Sequence, residues 1–330
     1  MHRYRIMDEG ISRLLALWGM ETAECRLVAA RENRVFKVKD GPQSYALRLH
    51  RPGLRSNEEL RSELVWMAEL GRHGISVPHP LASENGDFLR EQNGQQASML
   101  SWMSGAPLGR TGQPLNHPDR KGIFFRLGRQ MARMHAVSDN WTPPDWFKRA
   151  RWDRNALVGP DPLWGRFWEH PDLDASERTL LQRFRSEADV RLKAMDHLLD
   201  TGLIHADLVR ENIMVDGPDL HLIDFDDAGH GYRLFDVATA LVKNRQEPDY
   251  GNLEGAFLAG YDQKRSLNTS ELDLFLGLRA VSYVGWIITR LDEDGGRDRS
   301  KRMISDATDL AESFLTSSRH TSFQQMEVSP

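Results

Sequence analysis

The feature that most limits how this chain can fold is a change of pattern at residues 104–118, Ser-Gly-Ala-Pro-Leu-Gly-Arg-Thr-Gly-Gln-Pro-Leu-Asn-His-Pro. Glycine and proline punctuate this strip so densely that no regular element can run through it. Before it, strand-like runs prevail, at 25–30, 34–39, 44–49, 87–90 and 97–102, with Gly41-Pro42 and Gly94 as turns. Residues 57–71 are read as a helix, with Leu60, Leu64, Met67 and Leu70 on one stripe, and 8–19 as a shorter one carrying Ile11, Leu14, Leu15 and Leu17. Beyond the strip the periodicity is helical at 119–137, 175–200, 233–245, 251–263, 270–292 and 300–316. Only 213–215 and 221–223 read clearly as strands there. The pattern predicts an α+β fold of two lobes. A sheet-rich lobe spans 1–103, a hinge and linker 104–118, and a helical lobe 119–316. A polar, patternless tail over 317–330 is expected to be loose.

Of the 330 residues, 40% are hydrophobic and 28% charged, enough for a true core in a soluble protein. The net charge of -5 argues against a nucleic-acid partner. Cys25 is the lone cysteine, which excludes an intrachain disulfide and a cysteine zinc cage. Residues 1–8 lack the apolar run of a secretory leader, and no run is read as long enough to span a bilayer, so a cytoplasmic protein without a membrane partner is expected.

The chemistry is concentrated in residues 203–215, Leu-Ile-His-Ala-Asp-Leu-Val-Arg-Glu-Asn-Ile-Met-Val, and 222–227, Leu-Ile-Asp-Phe-Asp-Asp. Asp207 and Asn212 are five apart, and Asp224 lies twelve further on in an apolar strand. Phosphoryl transfer requires this set: a carboxylate beside the acceptor hydroxyl, then an amide oxygen and a second carboxylate to hold Mg²⁺ on the nucleotide phosphates. Asp207 is the candidate base, Asn212 and Asp224 the candidate metal ligands, and His205 a residue that shapes the loop.

These stretches resemble the catalytic and metal-binding loops of the aminoglycoside phosphotransferase, choline kinase and type II homoserine kinase superfamily, which has a protein-kinase-like fold. The resemblance extends to residues 45–52, similar to the family's third strand, to 61–66, similar to the helix that pairs with it, and to 127–135, similar to the first helix of its large lobe. It implies ATP and Mg²⁺ as cofactors, a cleft between lobes for the nucleotide, and a small-molecule hydroxyl acceptor, such as an amino alcohol or hydroxy amino acid. It also implies that Asp236 supports the catalytic loop through backbone hydrogen bonds.

Two departures are evident. Arg48 stands where the family usually has lysine; the resemblance implies that it contacts phosphate and pairs with Glu63, with Glu59 a competing partner. The phosphate loop, residues 30–36, has no glycine; Asn33 is either a nucleotide neighbour or a plain turn residue. Asp226 and Asp227 are either solvated loop acids or ligands for a second ion or cationic substrate. Five tryptophans between Trp141 and Trp168 form a candidate aromatic wall suited to a cationic amine, with plain packing as the competing reading. Trp152, Trp286 and Arg290 are candidates for the acceptor site on the same grounds. A protein Ser/Thr kinase, an aminoglycoside-modifying kinase and a non-catalytic nucleotide-binding protein are the alternatives; the short segment between Asp224 and the next helix leaves little platform for a peptide.

Overall fold

The computed structural model describes residues 9–30 and 33–327. Met1–Asp8, Arg31 and Glu32 of the expected phosphate loop, and residues 328–330 of the expected tail lie outside the described residues. In chain order the elements are α1 (Glu9–Leu15), β1 (Glu24–Ala30), β2 (Arg34–Asp40), β3 (Gln43–Leu49), α2 (Asn57–Arg72), β4 (Pro80–Leu81), β5 (Leu89–Gln92), β6 (Gln95–Ser101) and β7 (Ala106–Pro107). There follow α3 (Arg120–Asp139), β8 (Ala150–Trp152), α4 (Arg154–Val158), α5 (Ala175–Met195), β9 (Thr201–Ile204), β10 (Ile213–Asp216), β11 (Asp219–Leu222), β12 (Gly229–Tyr232), α6 (Arg233–Val242), α7 (Tyr250–Asp262), α8 (Leu272–Ile287) and α9 (Gly296–Glu327).

The chain divides into two compact units, each built from three stretches. The first takes the chain as far as Leu108, then Ala136–Arg149 and Glu211–Asp226. Its main sheet runs β1-β2-β3-β6-β4, with β5 paired to β6, and every pairing is antiparallel. The β5–β6 hairpin turns on Asn93-Gly94, both at positive φ, a combination that matches the twist of a two-residue hairpin. Val38, Leu47, Leu49, Ala97 and Met99 pack from one face onto Ile11, Leu14, Leu15 and Trp18. α2 starts on a capping box in which Ser56 and Glu59 satisfy each other's backbone N–H. A second sheet, β11-β10-β7, completes this unit, and there Gly105 passes so close to the Val215 carbonyl that a Cβ would sit 2.2 Å from its oxygen.

The second unit comprises Gly109–His135, Ala150–Arg210 and everything after Asp226. α8 packs on α9 and α6, and α5 on α9. α3 and α7 approach backbone to backbone through Gly128 and Gly260, where a Cβ would meet Phe257 O and Phe125 O, each at 1.9 Å. A three-stranded sheet, β8-β12-β9, sits beside these helices.

Two sequence expectations, on the strands and on the membrane-span length, are corrected here. β8, β9 and β12 are further strands after the glycine-proline strip; β12 (Gly-His-Gly-Tyr) has little side chain to alternate, which hides a short buried strand from a period-2 search. Within the expected tail, residues 317–327 are the last turns of α9. One stretch does reach membrane-span length and hydropathy, Leu272–Arg290, with mean hydropathy 1.4; 78% of it is buried inside the protein, so its apolar character serves the core.

Candidate active site

Each unit carries part of the expected site. In the first, β10 and β11 form a hairpin in register Ile213↔Leu222, and Ile223 N donates to Asn212 O at 3.0 Å. That register places Asn212 and Asp224 at the same open end of the hairpin, which explains their spacing. Asp224 is exposed at φ 68, a left-handed conformation rare for aspartate, while its neighbour Phe225 is fully buried edge-on to Trp66. Burying Phe225 turns Asp224 outward.

Arg48, on β3, is 6% exposed and bridges two carboxylates. Its Nη1 donates to Glu63 Oε1 on α2 at 2.6 Å and its Nη2 donates to Asp226. Glu59 is occupied in the capping box, so the pairing falls to Glu63. Asn33 Nδ2 also donates to Asp226, tying the glycine-free loop to the residue after Phe225. Arg149 closes the cluster. Its guanidinium lies 3.7 Å from Glu63 and donates to the carbonyls of Glu59, Phe225 and Asp226 at 3.0, 2.8 and 2.7 Å. Burial alone would lower the Arg48 pKa, but Asp226, Glu63 and Asp224 outweigh it and raise it. Burial pushes the Glu63 carboxyl up. It acts in the same sense on Asp226, where Arg48, His50 and Arg149 prevail and hold the carboxyl below its usual range. Asp226 is therefore a half-buried anion paired with Arg48 rather than a solvated loop acid.

In the second unit, the loop after β9 hangs from Asp236 on α6. Asp236 is fully buried and accepts from His205 N at 2.9 Å and Ala206 N at 2.8 Å. This bidentate hold stabilises Ala206 at φ 64. His135 Nε2 donates to the same carboxylate at 2.9 Å, and Tyr261 OH donates to His135 Nδ1 at 2.7 Å, the tautomer that suits both bonds. Burial raises the Asp236 carboxyl, but the hydrogen bonds from His135 and from the His205 N–H bring it below its normal value. Burial drives His135 down to about 4. His205 is fully buried and its Nδ1 accepts from Asp207 N at 3.3 Å, a loop-shaping position. Asp207 keeps its side chain 26% exposed, and Arg279 Nη2 donates to its Oδ1 at 2.8 Å.

The aromatic residues make ring contacts in each unit. Trp141 meets Phe147 in the first unit, and Trp168 meets Phe167 and stacks under Arg185. Trp152 and Trp164 join Phe235, Tyr283 and Trp286 in one cluster. Trp152 is 1% exposed and its Nε1 donates to Asp227 O at 2.8 Å, so it braces the chain after Asp226 from within the core. The π faces of this cluster hold the protein's own cations: Arg279 lies over Trp164 and Tyr283, and Arg290 over Trp286 at 4.1 Å. Sequence reading missed Arg279, Arg149 and His135 as site residues. His135 closes the segment that is similar to the family's first large-lobe helix, whereas Arg149 and Arg279 stand in no local pattern.

The model of the phosphotransferase enzyme family matches residues 24–273. Homoserine kinase of Agrobacterium fabrum is 29% identical over 264 residues, covering 79% of this chain and 77% of that protein. Among solved structures, a microcompartment-associated aminopropanol kinase is 28% identical with TM-score 0.80, covering 94% of this chain and 98% of the other. An amicoumacin kinase solved in complex with AMP-PNP, Ca²⁺ and Ami gives TM-score 0.74 at 20% identity, over 94% and 96% of the two chains, a likeness of fold.

Proposed function

The chain belongs to the phosphotransferase enzyme family, and from that premise we propose that it transfers the γ-phosphate of ATP, with Mg²⁺, to a hydroxyl of a small metabolite in the class of amino alcohols and hydroxy amino acids. The observation that carries this reading is the state of the catalytic loop. Asp236 grips His205 and Ala206, and Asp207 emerges partly exposed, ionically paired and within five residues of Asn212. The similarity to a homoserine kinase and an aminopropanol kinase supports the small acceptor.

Asn212 and Asp224 offer oxygen donors only, from one end of one hairpin, and so fit a hard cation that takes few protein ligands. Such an ion, once bound, would neutralise phosphate charge. Arg48 supplies a fixed cation to the nucleotide half and Glu63 keeps it aimed, as Asn33 and Asp226 keep the loop near it. Asp207 orients the acceptor hydroxyl and takes its proton as the new oxygen–phosphorus bond forms and the bond from the γ-phosphorus to ADP breaks. His205 and Asp236 hold the loop that presents Asp207.

The test is Mg-ATP consumption by the full chain against separate pools of amino alcohols, hydroxy amino acids, sugars and aminoglycosides, with Asp207→Ala as control. Turnover confined to the first two pools and lost in the control is the expected result. Turnover with aminoglycosides alone, or with none, overturns the acceptor class.

A further inference from the structure

Arg279 sits in the middle of α8 with none of its surface exposed. Burying a guanidinium costs several kcal/mol unless acceptors surround it. Here the Nη2 donates to Asp207, while Nε and Nη1 have no hydrogen-bond partner. Rings take the place of acceptors: the guanidinium carbon lies 4.2 Å from the Tyr283 ring centre, 4.4 Å from Trp164 and 5.3 Å from Phe235. Contacts of this kind are strongest when desolvated, so the rings offset part of the cost of burying the cation. The cage is itself braced, since Trp152 stacks on Phe235 at 5.1 Å and meets Trp164 edge-on at 5.1 Å.

This arrangement differs from an ordinary buried ion pair in one respect. Aromatic faces offset the desolvation of a cation without cancelling its charge. The charge of Arg279 is therefore left to act on the one carboxylate it is paired with among the described residues, Asp207. Phe235, part of the cage, is the residue before Asp236, so the element that anchors the catalytic loop also fixes the cation that faces it.

We propose that Arg279 is a positioning residue for the reaction: caged by Trp164, Tyr283 and Phe235, it fixes the orientation of the Asp207 carboxylate and keeps it ionised. The proposal rests on the reading of Asp207 as the base. It requires no ligand to enter the cage, and it explains why the tryptophans there are spent on a protein cation.

Two measurements test it. The first needs no acceptor: the Asp207 carboxyl carbon is titrated by NMR in the full chain, assigned by its loss in Asp207→Asn. An opposite charge in contact lowers a carboxyl by about 1–3 units. Arg279→Met is therefore expected to raise the Asp207 midpoint by at least about one unit, and Arg279→Lys, which folds with a charge in place, to restore much of that shift. A midpoint within about 0.3 units of wild type in both variants overturns the proposal. The second is kinetic. Arg279→Met should lower kcat on the order of 100-fold with KM for Mg-ATP near wild type. That loss should vanish in an Asp207→Asn background, because the two residues act as one unit. An equal loss in both backgrounds means that Arg279 acts elsewhere. If wild type turns over none of the acceptors, the kinase reading fails by itself, and the carboxyl titration still decides the role of Arg279.

Discussion

At the scale of single residues, Arg48 shows how a conservative exchange depends on geometry. Its two terminal nitrogens serve different carboxylates, Glu63 and Asp226. An ammonium is a point charge on a flexible stem and cannot hold both in one plane. Arg48→Lys is expected to raise KM for Mg-ATP roughly tenfold and lower stability by about 1–2 kcal/mol, measured by initial rates and urea unfolding. An unchanged KM would sink the assignment of Arg48 to the nucleotide half. Asp236→Ala strands two buried backbone N–H groups and should cost about 3–5 kcal/mol; the same unfolding experiment reads it. The pairing of Arg48 with Glu63 was legible only through the resemblance of residues 45–52 and 61–66 to the family's third strand and its paired helix, and Glu59 competed with it there. The partnership of Asp207 with Arg279 was not. The two lie 72 residues apart on different elements, and an arginine inside an apolar helix looks like a surface residue until its neighbours are known.

Among elements, β1, β2, β3, β5 and β6 and helices α2, α3 and α5 to α9 could be read from periodicity, since each is long enough to show its period, whereas α4, of five residues, and β4, of two, are too short to show one. The sheet β8-β12-β9 could not, being short, buried and rich in glycine. Glycines also separate packing from propensity on a single helix. On α7, Gly260 faces Phe125 O, whereas a methyl added at Gly251 or Gly255 would have nothing within 4 Å. Gly260→Ala, like Gly128→Ala across the contact, should force α3 and α7 apart and cost roughly 1–3 kcal/mol or more. Gly255→Ala should stabilise by up to about 1 kcal/mol from helix propensity alone. Thermal melts of the variants check this; a destabilised Gly255→Ala, or a neutral Gly260→Ala, contradicts it.

For the molecule as a whole, two buried histidines set the acid side of stability. Burial lowers His135 to about 4, and lowers His50 to about 3 with help from the Arg48 charge. Unfolded, both take a proton near the ordinary histidine value of about 6.5. The folded state declines that proton, so acid favours unfolding. Stability from this source is intact above about pH 6.5 and is lost as pH falls toward 4 and then 3. Between pH 6.5 and 5 the loss should be roughly 2 kcal/mol per histidine. Urea midpoints across that range measure it, and a flat profile would contradict the burial of both rings.

The first unit is joined by Ala136–Arg149 and completed last by Glu211–Asp226, which bring β10, β11 and Phe225 back to a sheet and helix made from the chain before Leu108. During synthesis, Trp66 therefore waits for a partner 159 positions later in the chain. Until the ribosome has passed Asp226, the segment made before Leu108 is an incomplete body with apolar surface uncovered, and a nascent chain arrested short of that point is expected to lean on chaperones or be degraded. For the same reason no gene cut at the glycine-proline strip would release a self-sufficient half. The enzyme is inherited, folded and lost as one piece.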